Sequence, residues 1–372
     1  MSLERRHVLH LVYRFSVGGL ENMLVQLVNG LAPARFRHTI VALTDVDPSF
    51  AARISVPDVE FVALGKPPGQ AFRLFPSFLR LLHHSAPHTL HTCNLGALEF
   101  QFPGWLARVP RRVHAEHGWD VSDPDGSNAR HRMLRRILSP FVHDFVAVSG
   151  HIHDYLTERV GLPEGRVHTI TNGVDLERFR PREDGDALPE GFPFVPGRHW
   201  VIGTIGRLET IKNQILLVRA FASLVKSDWP MADRLRLVIA GEGGLRDTIT
   251  GELDSAGLLG RAWLAGARDD VPELLRFIDC FVLPSLAEGT SCTLQEAMAT
   301  ALPIVATDVG GNRALLDAGR LGGLVPAGNV GELARVIRAH CENPIPNNPA
   351  REFMAQNFDF GQTLSRYAEL FS

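Results

Sequence analysis

The chain has 372 residues, a length that favours two domains over a single core. Hydrophobic residues make up 45% of it, as in ordinary globular proteins, and its net charge of −3 is too small to indicate nucleic acid as a partner. The four cysteines are widely spaced and form no C-x-x-C pair, which predicts a reducing compartment and neither a disulfide framework nor a zinc site: Cys93, Cys280, Cys292 and Cys341.

The apolar runs of the chain are too short to place it across a membrane. The run that follows Arg5 and Arg6 ends at Arg14, which is too short for a signal peptide. No other apolar segment approaches the ~18 residues that a membrane-spanning helix needs. The sequence therefore predicts a cytoplasmic protein.

The first half alternates apolar runs with helix-length segments, which predicts a parallel α/β sheet with right-handed crossovers. The runs lie at 7–13, 39–43, 59–64, 88–93, 112–116 and 144–148, and a last strand is expected within 167–175. Gly18 and Gly19 separate the first run from a helix, so the backbone there can approach a ligand closely. A tight turn without a ligand is the alternative.

Two segments of the first half carry polar groups that a ligand or a surface can use. His117 follows the run 112–116, at the carboxyl end of a predicted strand, where α/β sheets bind ligands. The alternative is an incidental histidine. Segment 127–138 combines apolar pairs four residues apart with four arginines. This pattern is typical of a peripheral contact with an anionic membrane, or of a packed surface helix whose arginines face water.

The second half repeats the α/β pattern after an interruption. The stretch 179–198 is rich in proline and glycine and is predicted to be a domain linker. Apolar runs at 200–205, 235–240, 262–265, 278–283, 302–306 and 321–325 then predict a second doubly wound α/β domain. At the end of the chain, Leu364, Tyr367 and Phe371 fall on one face of a final amphipathic helix.

The segment 284–308 combines a strand end, a loop and a helix start. A buried strand ends at Pro284 and Ser285, a loop with Glu288 follows, and a helix begins before Glu296. The backbone N–H groups of residues 289–293 precede the first helical hydrogen bonds, so they are free to point at an anion. The alternative is structural, because Thr293 and Glu296 have the spacing of a capping box.

Two cations follow the first strand of the second half. Arg207 comes directly after Gly206, and Lys212 is one of only three lysines in the chain. A guanidinium fork and an ammonium group at one strand end suit a diphosphate, although most such pairs are surface charges. The D-x-D pairs, of which Asp123 and Asp125 form one, are typical of turns and linkers, so no metal ion is predicted.

Seven motifs follow one another over nearly the whole chain: GGLE at 18–21, HG at 117–118, NGVD at 172–175, GRLETIKN at 206–213, AGEG at 240–243, PSLAEGTSCTLQEAMA at 284–299 and TDVGG at 307–311. With them the chain resembles the retaining glycosyltransferases of family 4. The pair of acids Glu288 and Glu296 is the most specific feature of this resemblance. Within the family, the chain is most similar to sugar transferases of bacterial exopolysaccharide loci, including those associated with exosortase systems.

The resemblance implies the GT-B fold, with two facing Rossmann-like domains and a cleft between them. The acceptor-side domain would take 1–178 plus 358–372, with the C-terminal helix crossing back to it, and the nucleotide-sugar domain would take 179–357. Arg207 and Lys212 would neutralise the departing diphosphate. Glu288 and His117 would face the transferred sugar, and Glu296 would accept from the ribose hydroxyls. The other residues implied in donor binding are Gly18, Gly19, Gly206, Glu242, Arg268, Val271, Gly289, Thr290, Ser291, Cys292, Thr293 and Leu294.

The activity that the resemblance implies is a retaining, metal-independent transfer of a sugar. The donor would be a UDP- or GDP-linked sugar, the acceptor a lipid-linked molecule or a glycan, and no cofactor would be needed. Two alternatives remain open: a nucleotide-sugar epimerase, and a catalytically silent subunit that binds nucleotide sugars. The chain departs from the family pattern near Ala314, where a glutamate is common.

Overall fold

The structure is a computed structural model that describes residues 5–67, 69, 71–118, 123 and 126–372. Asp125, one member of the D-x-D pairs, lies outside the described residues, as do Trp119 and Asp120 after the HG motif. The chain divides into two compact units, Met1–Gly173 with Gly361–Ser372, and Val174–Phe360. Among the described residues, no helix has both the length and the apolar composition that crossing a membrane requires.

The first unit is built on a seven-stranded parallel sheet. Its strands are β1 (Arg6–Val12), β2 (Phe36–Ala42), β3 (Glu60–Ala63), β4 (Thr89–Cys93), β5 (Arg111–Glu116), β6 (Asp144–Ala147) and β7 (Val167–Thr169). Their order across the sheet is β3-β2-β1-β4-β5-β6-β7. The α-helices between them are α1 (Gly19–Gly30), α2 (Pro48–Ala51), α3 (Phe75–Ser85), α4 (Leu95–Leu98), α5 (Gln101–Leu106), α6 (Ala129–Leu138) and α7 (Gly150–Asp154).

The second unit is built on a six-stranded parallel sheet. Its strands are β8 (Trp200–Ile205), β9 (Leu235–Ala240), β10 (Ala262–Gly266), β11 (Cys280–Leu283), β12 (Ile304–Thr307) and β13 (Gly323–Val325). Their order is β10-β9-β8-β11-β12-β13. The α-helices are α8 (Gln214–Val225), α9 (Arg246–Ser255), α10 (Val271–Arg276), α11 (Cys292–Ala299), α12 (Asn312–Leu315), α13 (Val330–Glu342) and α14 (Asn348–Asn357).

The central strands are apolar throughout because helices cover both faces of each sheet. Every residue of β8 is buried, and so is every residue of β11 and of β12. Strands buried on both faces lose the alternation of apolar and polar residues that a half-exposed strand shows. This is why the sequence displays them as continuous apolar runs, and the predicted pair of parallel α/β units is confirmed.

The last helix, α15 (Phe360–Leu370), returns the chain to the first unit. Tyr367 and Phe371 are fully buried in the core of that unit, together with residues of β1 and α1. The hydroxyl of Thr363 donates to the Thr171 carbonyl at 3.0 Å, and Arg366 donates to the Thr169 carbonyl at 2.6 Å. The predicted return of the C-terminal helix is confirmed.

The segment 179–198, which its composition assigns to a linker, lies inside the second unit. Phe179 and Phe194 are buried in that unit's core. Arg180 binds the carboxylate of Asp186 at 2.6 Å. Proline and glycine exclude regular structure from this segment, but its aromatic side chains hold it against the second unit as packed coil.

Candidate active site

Topology brings two loops together at the centre of the second sheet. The chain order across this sheet reverses between β8 and β11, which are hydrogen-bonded neighbours. Loops that follow the two strands on either side of such a reversal leave in opposite directions, and the crevice between them is where open α/β sheets bind ligands. The first of these loops carries Arg207 and Lys212, and the second carries Glu288.

Lys212 and Glu288 form an ion pair across these loops. The Lys212 ammonium lies 2.7 Å from Oε1 of Glu288, and the hydroxyl of Ser285 donates to the same oxygen at 2.6 Å. The side chains are 21% and 7% exposed, respectively. A backbone bond of 2.8 Å from the Leu286 N–H to the Ile211 carbonyl joins the two loops directly. The structure therefore brings together two of the predicted catalytic residues, 76 positions apart in sequence.

Arg207 is on the same loop but is more open. Its side chain is 59% exposed, and its guanidinium lies 3.0 Å from the Glu209 carboxylate. The Arg207 carbonyl accepts a bond of 2.9 Å from the amide of Gln214, which is buried. The backbone at Arg207 is thus fixed, while its charged group can turn toward a ligand at the cost of an exposed ion pair worth about 0–1 kcal/mol.

Paired glycines support the loop that carries Glu288. Gly310 has φ +51°, and a Cβ on it would lie 1.8 Å from the Glu288 carbonyl oxygen. A Cβ on Gly311 would lie 2.3 Å from the Gly289 carbonyl oxygen. The backbone of 288–289 therefore rests directly on the Gly310–Gly311 pair, which only residues without side chains permit. The sequence motif TDVGG contains this pair, but its contact with Glu288 is visible only in the structure.

A second close approach of backbones fixes the start of the Arg207 loop. Gly241 has φ +135°, and a Cβ on it would lie 2.0 Å from the Gly206 carbonyl oxygen. The Gly206 N–H donates to the Ala240 carbonyl, and the Leu208 N–H donates to the Glu242 carbonyl, both at 2.9 Å. The AGEG motif thus acts by supporting Gly206 and Arg207.

Helix α11 begins directly after the loop that carries Glu288. Ser291 is its N-cap, and the Ser291 hydroxyl accepts from the Leu294 N–H at 3.4 Å. Thr293 lies inside the helix, so the capping-box interpretation of Thr293 and Glu296 is wrong. In the described part of the chain, the N–H groups of Gly289 and Thr290 have no backbone partner, and a Cβ on Gly289 would meet open space. Cys292, the first helical residue, is half-buried.

Glu296 projects from the second turn of α11. Burial raises the pKa of its carboxyl to about 8, and the cation of Arg178 acts in the opposite direction. The carboxyl is therefore largely protonated at neutral pH until a charged or donating partner arrives. A group in this state can accept from hydroxyls only after it loses a proton, which makes it a candidate for ligand-coupled ionisation.

Three further predicted donor residues lie around β9 and β10. Arg268 binds the Asp270 carboxylate at 2.5 and 2.7 Å and the Glu190 carbonyl at 3.0 Å, and its guanidinium stacks on Trp263. Glu242 lies 3.3 Å from the Arg246 guanidinium. Val271 is the first residue of α10. Arg268 is thus held by Asp270, Glu190 and Trp263, and its role in donor binding stays a prediction.

In the first unit, the chain order reverses between β1 and β4. Residues that follow these two strands therefore lie at the carboxyl edge of the first sheet, where α/β sheets bind ligands. Gly18 is the N-cap of α1, and a Cβ on it would lie 2.1 Å from a carboxylate oxygen of Glu21. A Cβ on Gly19 would meet open space. The two glycines therefore differ: the first makes room for Glu21, and the second leaves the helix start accessible.

His117 is placed next to this edge, but its ring is turned inward. Its backbone N–H donates to the Asn94 side chain at 2.7 Å. Both ring nitrogens are buried and have no hydrogen-bond partner among the residues that the structure describes, and burial lowers the pKa of the imidazole to about 3. The ring is therefore neutral. Its predicted contact with a sugar stays a prediction, since it requires the ring to turn outward.

A group of buried histidines in the same sheet was not anticipated from the sequence. His10, His38 and His91 are 0%, 3% and 0% exposed. Burial lowers the pKa of each imidazole, and for His38 the value is about 4. The histidines therefore belong to the core as neutral rings. The sequence gives no sign of this group, because a histidine inside an apolar strand follows no pattern that distinguishes it from the other buried residues of the strand.

Helix α6 buries one of its arginines and exposes most of its apolar side chains, whereas a packed surface helix would do the reverse. Arg135 is buried, and its guanidinium binds the buried carboxylate of Glu116 at 2.6 and 3.1 Å. The apolar side chains of Met133, Leu134 and Ile137 are instead 60%, 39% and 60% exposed. The expected packing of the apolar side chains is therefore wrong, and the expected solvated arginine face holds for Arg130 and Arg136 but not for Arg135. Glu116, a buried acid, fixes the orientation by requiring a cation inside.

The chain matches two family descriptions, one in each unit. Residues 17–178 match "Glycosyltransferase Family 4", and residues 199–343 match "Glycosyl transferases group 1". The order of these two matches follows the order of the units along the chain. The chain therefore belongs to the group 1 glycosyltransferases of family 4, and the resemblance drawn from its motifs is confirmed.

Several curated proteins are similar to the chain. The putative glycosyltransferase EpsF of Bacillus subtilis is 27% identical over 328 residues, which cover 83% of this chain and 80% of EpsF. A UDP-Gal:alpha-D-GlcNAc-diphosphoundecaprenol alpha-1,3-galactosyltransferase of Escherichia coli is 27% identical over 214 residues, 57% of this chain and 55% of that protein. The chain spans about half the length of several other curated relatives.

Solved structures show that the fold is GT-B. Anabaena HepE in complex with UDP and glucose has a TM-score of 0.79 at 21% identity, covering 98% of this chain and 99% of HepE. A glycosyltransferase of Rickettsia africae has a TM-score of 0.80 at 17% identity, and the match covers 99% of this chain and 98% of that protein. The predicted GT-B fold is confirmed.

Proposed function

We propose that the protein transfers a sugar from a nucleotide-diphosphate sugar with retention of the anomeric configuration and without a metal ion at the diphosphate. The observation that carries the proposal is the joint placement of Lys212 and Glu288 at the reversal point of the second sheet. Glycosyl transfer needs a stabilised diphosphate leaving group and stabilisation of an oxocarbenium-like sugar. A cation and a carboxylate held side by side supply groups for both.

The diphosphate would be held by side chains and peptide groups. Lys212 supplies a compact positive charge, Arg207 a guanidinium fork, and the start of α11 open backbone N–H groups with the positive end of the helix dipole. When a diphosphate arrives, the Lys212 ammonium can share its hydrogen bonds between Glu288 and the phosphate, because it carries three donors. The charge that develops on the leaving group is then met without an ion.

Glu288 would face the sugar as a positioned carboxylate rather than as a covalent nucleophile. Its Oε1 already accepts from both Lys212 and Ser285. An oxygen with two strong donors is a weak nucleophile, but it remains a good acceptor for a sugar hydroxyl and a fixed negative charge beside the anomeric carbon. Retention would then follow from front-face attack, with the leaving phosphate taking the acceptor's proton.

The named activities of relatives narrow the expected substrates. HepE is described with UDP and glucose, and the Escherichia coli relative uses UDP-Gal and a diphosphoundecaprenol acceptor. For this chain we favour a UDP-sugar donor and a lipid-linked acceptor in the synthesis of a bacterial exopolysaccharide or other surface glycan. The exposed apolar side chains of Met133, Leu134 and Ile137 form an apolar stripe on α6. This stripe, with the exposed Arg130 and Arg136 beside it, would contact the inner face of the cytoplasmic membrane.

Replacement of Lys212 tests the diphosphate assignment. Lys212→Ala should lower kcat by about 10²–10³-fold, the loss seen when one preorganised donor to a developing oxyanion is removed. Lys226→Ala is the matched control, since Lys226 is an exposed lysine at the end of α8. The measurement is sugar transfer from a panel of nucleotide sugars, with circular dichroism to establish folding.

Three outcomes of this assay are informative. Equal activity of folded Lys212→Ala and wild-type protein would overturn the diphosphate assignment. Conversion of the donor sugar without an acceptor would indicate an epimerase. Donor binding without turnover across acceptors would indicate a binding subunit.

A further inference from the structure

The first unit contains a cluster of metal-type ligands that lies outside the proposed diphosphate site. We propose that His91, Cys93 and His117 bind one divalent transition-metal ion of the zinc type. Their ligand atoms all lie within 4.8 Å of one another. His91 and Cys93 are 0% and 1% exposed. Imidazole nitrogen and thiolate sulfur are the ligands that zinc and its soft neighbours prefer.

The distances between ligand atoms suit a tetrahedral ion. The Cys93 sulfur lies 3.8 Å from Nε2 of His91. Bonds of about 2.3 Å to sulfur and about 2.0 Å to nitrogen, at tetrahedral angles, place two such ligand atoms about 3.6 Å apart. The pair of His91 and Cys93 is therefore within a few tenths of an ångström of this geometry, and the His117 nitrogen lies within 4.8 Å of both ligand atoms. Three protein ligands leave a fourth position for water or another group.

The unpartnered ring of His117 is the independent sign of a ligand. In the described part of the chain, neither of its ring nitrogens has a hydrogen-bond partner, and both are buried. A buried polar group left without a partner is destabilising. The Asn94 side chain holds the backbone of His117 in this place through the bond of 2.7 Å. A metal bond to one of the two nitrogens gives that nitrogen a partner.

A chain of histidines behind His91 supplies its orientation. Nδ1 of His91 lies 3.0 Å from Nδ1 of His10, and Nε2 of His10 lies 3.0 Å from Nδ1 of His38. If His91 donates from Nδ1, its Nε2 carries the lone pair and is available to an ion. His10 then donates to His38, and each ring carries one hydrogen. A metal-bound histidine that donates from its other nitrogen to a fixed acceptor is the usual supporting arrangement of metal sites.

Binding exchanges a proton for the ion. The S–H bond of Cys93 breaks, a metal–sulfur bond forms, and the proton passes to the buffer. The sequence spacing does not display this site, because its ligands come from β4 and from the residue that follows β5. An ion would tie these two chain segments together.

The inference goes beyond the proposed function and does not depend on it. The diphosphate is assigned to Arg207 and Lys212 in the second unit, whereas these ligands belong to the first unit. Failure of sugar transfer would leave the metal site untouched, and absence of metal binding would leave the diphosphate assignment untouched.

Cobalt titration of the reduced, chelator-stripped full-length protein tests the site. Wild-type protein should take up about one equivalent of Co²⁺ with a thiolate-to-cobalt charge-transfer band and tetrahedral d–d bands. Cys93→Ser should lose the charge-transfer band, while Cys341→Ser, at a buried cysteine of the second unit, should keep it. His10→Phe should keep the band with 10–100-fold weaker binding, the loss typical when an outer partner of a ligating histidine is removed.

X-ray absorption of the zinc-loaded wild-type protein keeps the test independent of variant folding. The spectrum should show one sulfur and two imidazole nitrogen neighbours. No charge-transfer band in folded wild-type protein, an unchanged band in Cys93→Ser, or a zinc spectrum without sulfur would each overturn the proposal.

Discussion

Lys212 and Glu288 show how two residues of the same site depend on each other. With the Glu288 side chain only 7% exposed, removal of Lys212 leaves a carboxylate that retains Ser285 as its remaining donor within the described site. Truncating one partner of a buried pair costs more than the pair contributes, because the other charge stays desolvated. The Lys212→Ala variant is therefore expected to lose some stability as well as activity, and its turnover has to be compared at a temperature where it is folded.

Glu296 predicts a pH dependence of nucleotide binding. In the free protein the pKa of its carboxyl is about 8. If ribose hydroxyls donate to the ionised carboxylate, binding requires proton loss, so affinity should rise with pH up to about 8 and then level off. The rise is at most about tenfold per pH unit, as expected for one proton. Isothermal titration of UDP at several pH values, in buffers of different ionisation enthalpy, measures the affinity and the released proton.

Glu296→Gln provides the control for this pH dependence. The variant has a similar shape but no ionisable group, so its affinity for UDP should be flat over the same range. A wild-type affinity that does not change between pH 6 and pH 8 would contradict ribose binding by an ionised Glu296.

At the scale of elements, two loops with no contact in sequence act as one support. The 308–311 loop after β12 carries the 286–291 loop after β11, because Gly310 and Gly311 let the two backbones touch. The residues that would contact the donor are therefore positioned by residues that would not. Glycine is therefore required at positions 310 and 311, although these residues would not contact the donor themselves.

Gly310→Ala should disrupt the site through this contact. A Cβ at Gly310 would overlap the Glu288 carbonyl oxygen, whereas one at Gly328, with φ +77°, would meet open space. Gly328→Ala therefore isolates the strain of the left-handed backbone, about 1–3 kcal/mol. We expect Gly310→Ala to lower the melting temperature further than Gly328→Ala and to weaken UDP binding, which the control should preserve. Equal UDP affinities in the two variants would show that the Glu288 loop does not depend on Gly310.

We expect α6 to contact a membrane through its exposed apolar stripe. Ile137→Asp should reduce binding to anionic lipid vesicles, because it places a negative charge on the stripe. Ile345→Asp is the control, since Ile345 is 72% exposed and lies in the second unit. Cosedimentation with vesicles of anionic and of neutral lipid measures the effect. Equal sedimentation of the two variants would contradict the contact.

For the whole molecule, the sequence predicts architecture better than packing. Continuous apolar runs identify the buried strands, and the run at 200–205 coincides with β8, because parallel strands covered on both faces must be apolar. The burial of Arg135 could not be predicted, since its partner Glu116 comes from another element. The packing of Phe179 and Phe194 was also missed, because proline and glycine report on backbone conformation rather than on what the neighbouring side chains contact.

The same difference between position and contact applies to the candidate site. Strand-end position identified Lys212 and Glu288, since parallel topology converts a sequence position into a place on one edge. Their mutual contact, the support from Gly310 and the inward ring of His117 depend on distances between separate loops. No local pattern encodes those distances.

The most direct test of the account is the rate of sugar transfer after removal of Mg²⁺ and Mn²⁺. Enzyme freed of these two ions should transfer sugar from its UDP-sugar donor at the untreated rate, and added Mg²⁺ or Mn²⁺ should not change that rate, because Arg207, Lys212 and the start of α11 hold the diphosphate. Loss of transfer on chelation, restored by Mg²⁺ or Mn²⁺, would contradict the central claim that the leaving diphosphate is stabilised by the protein alone.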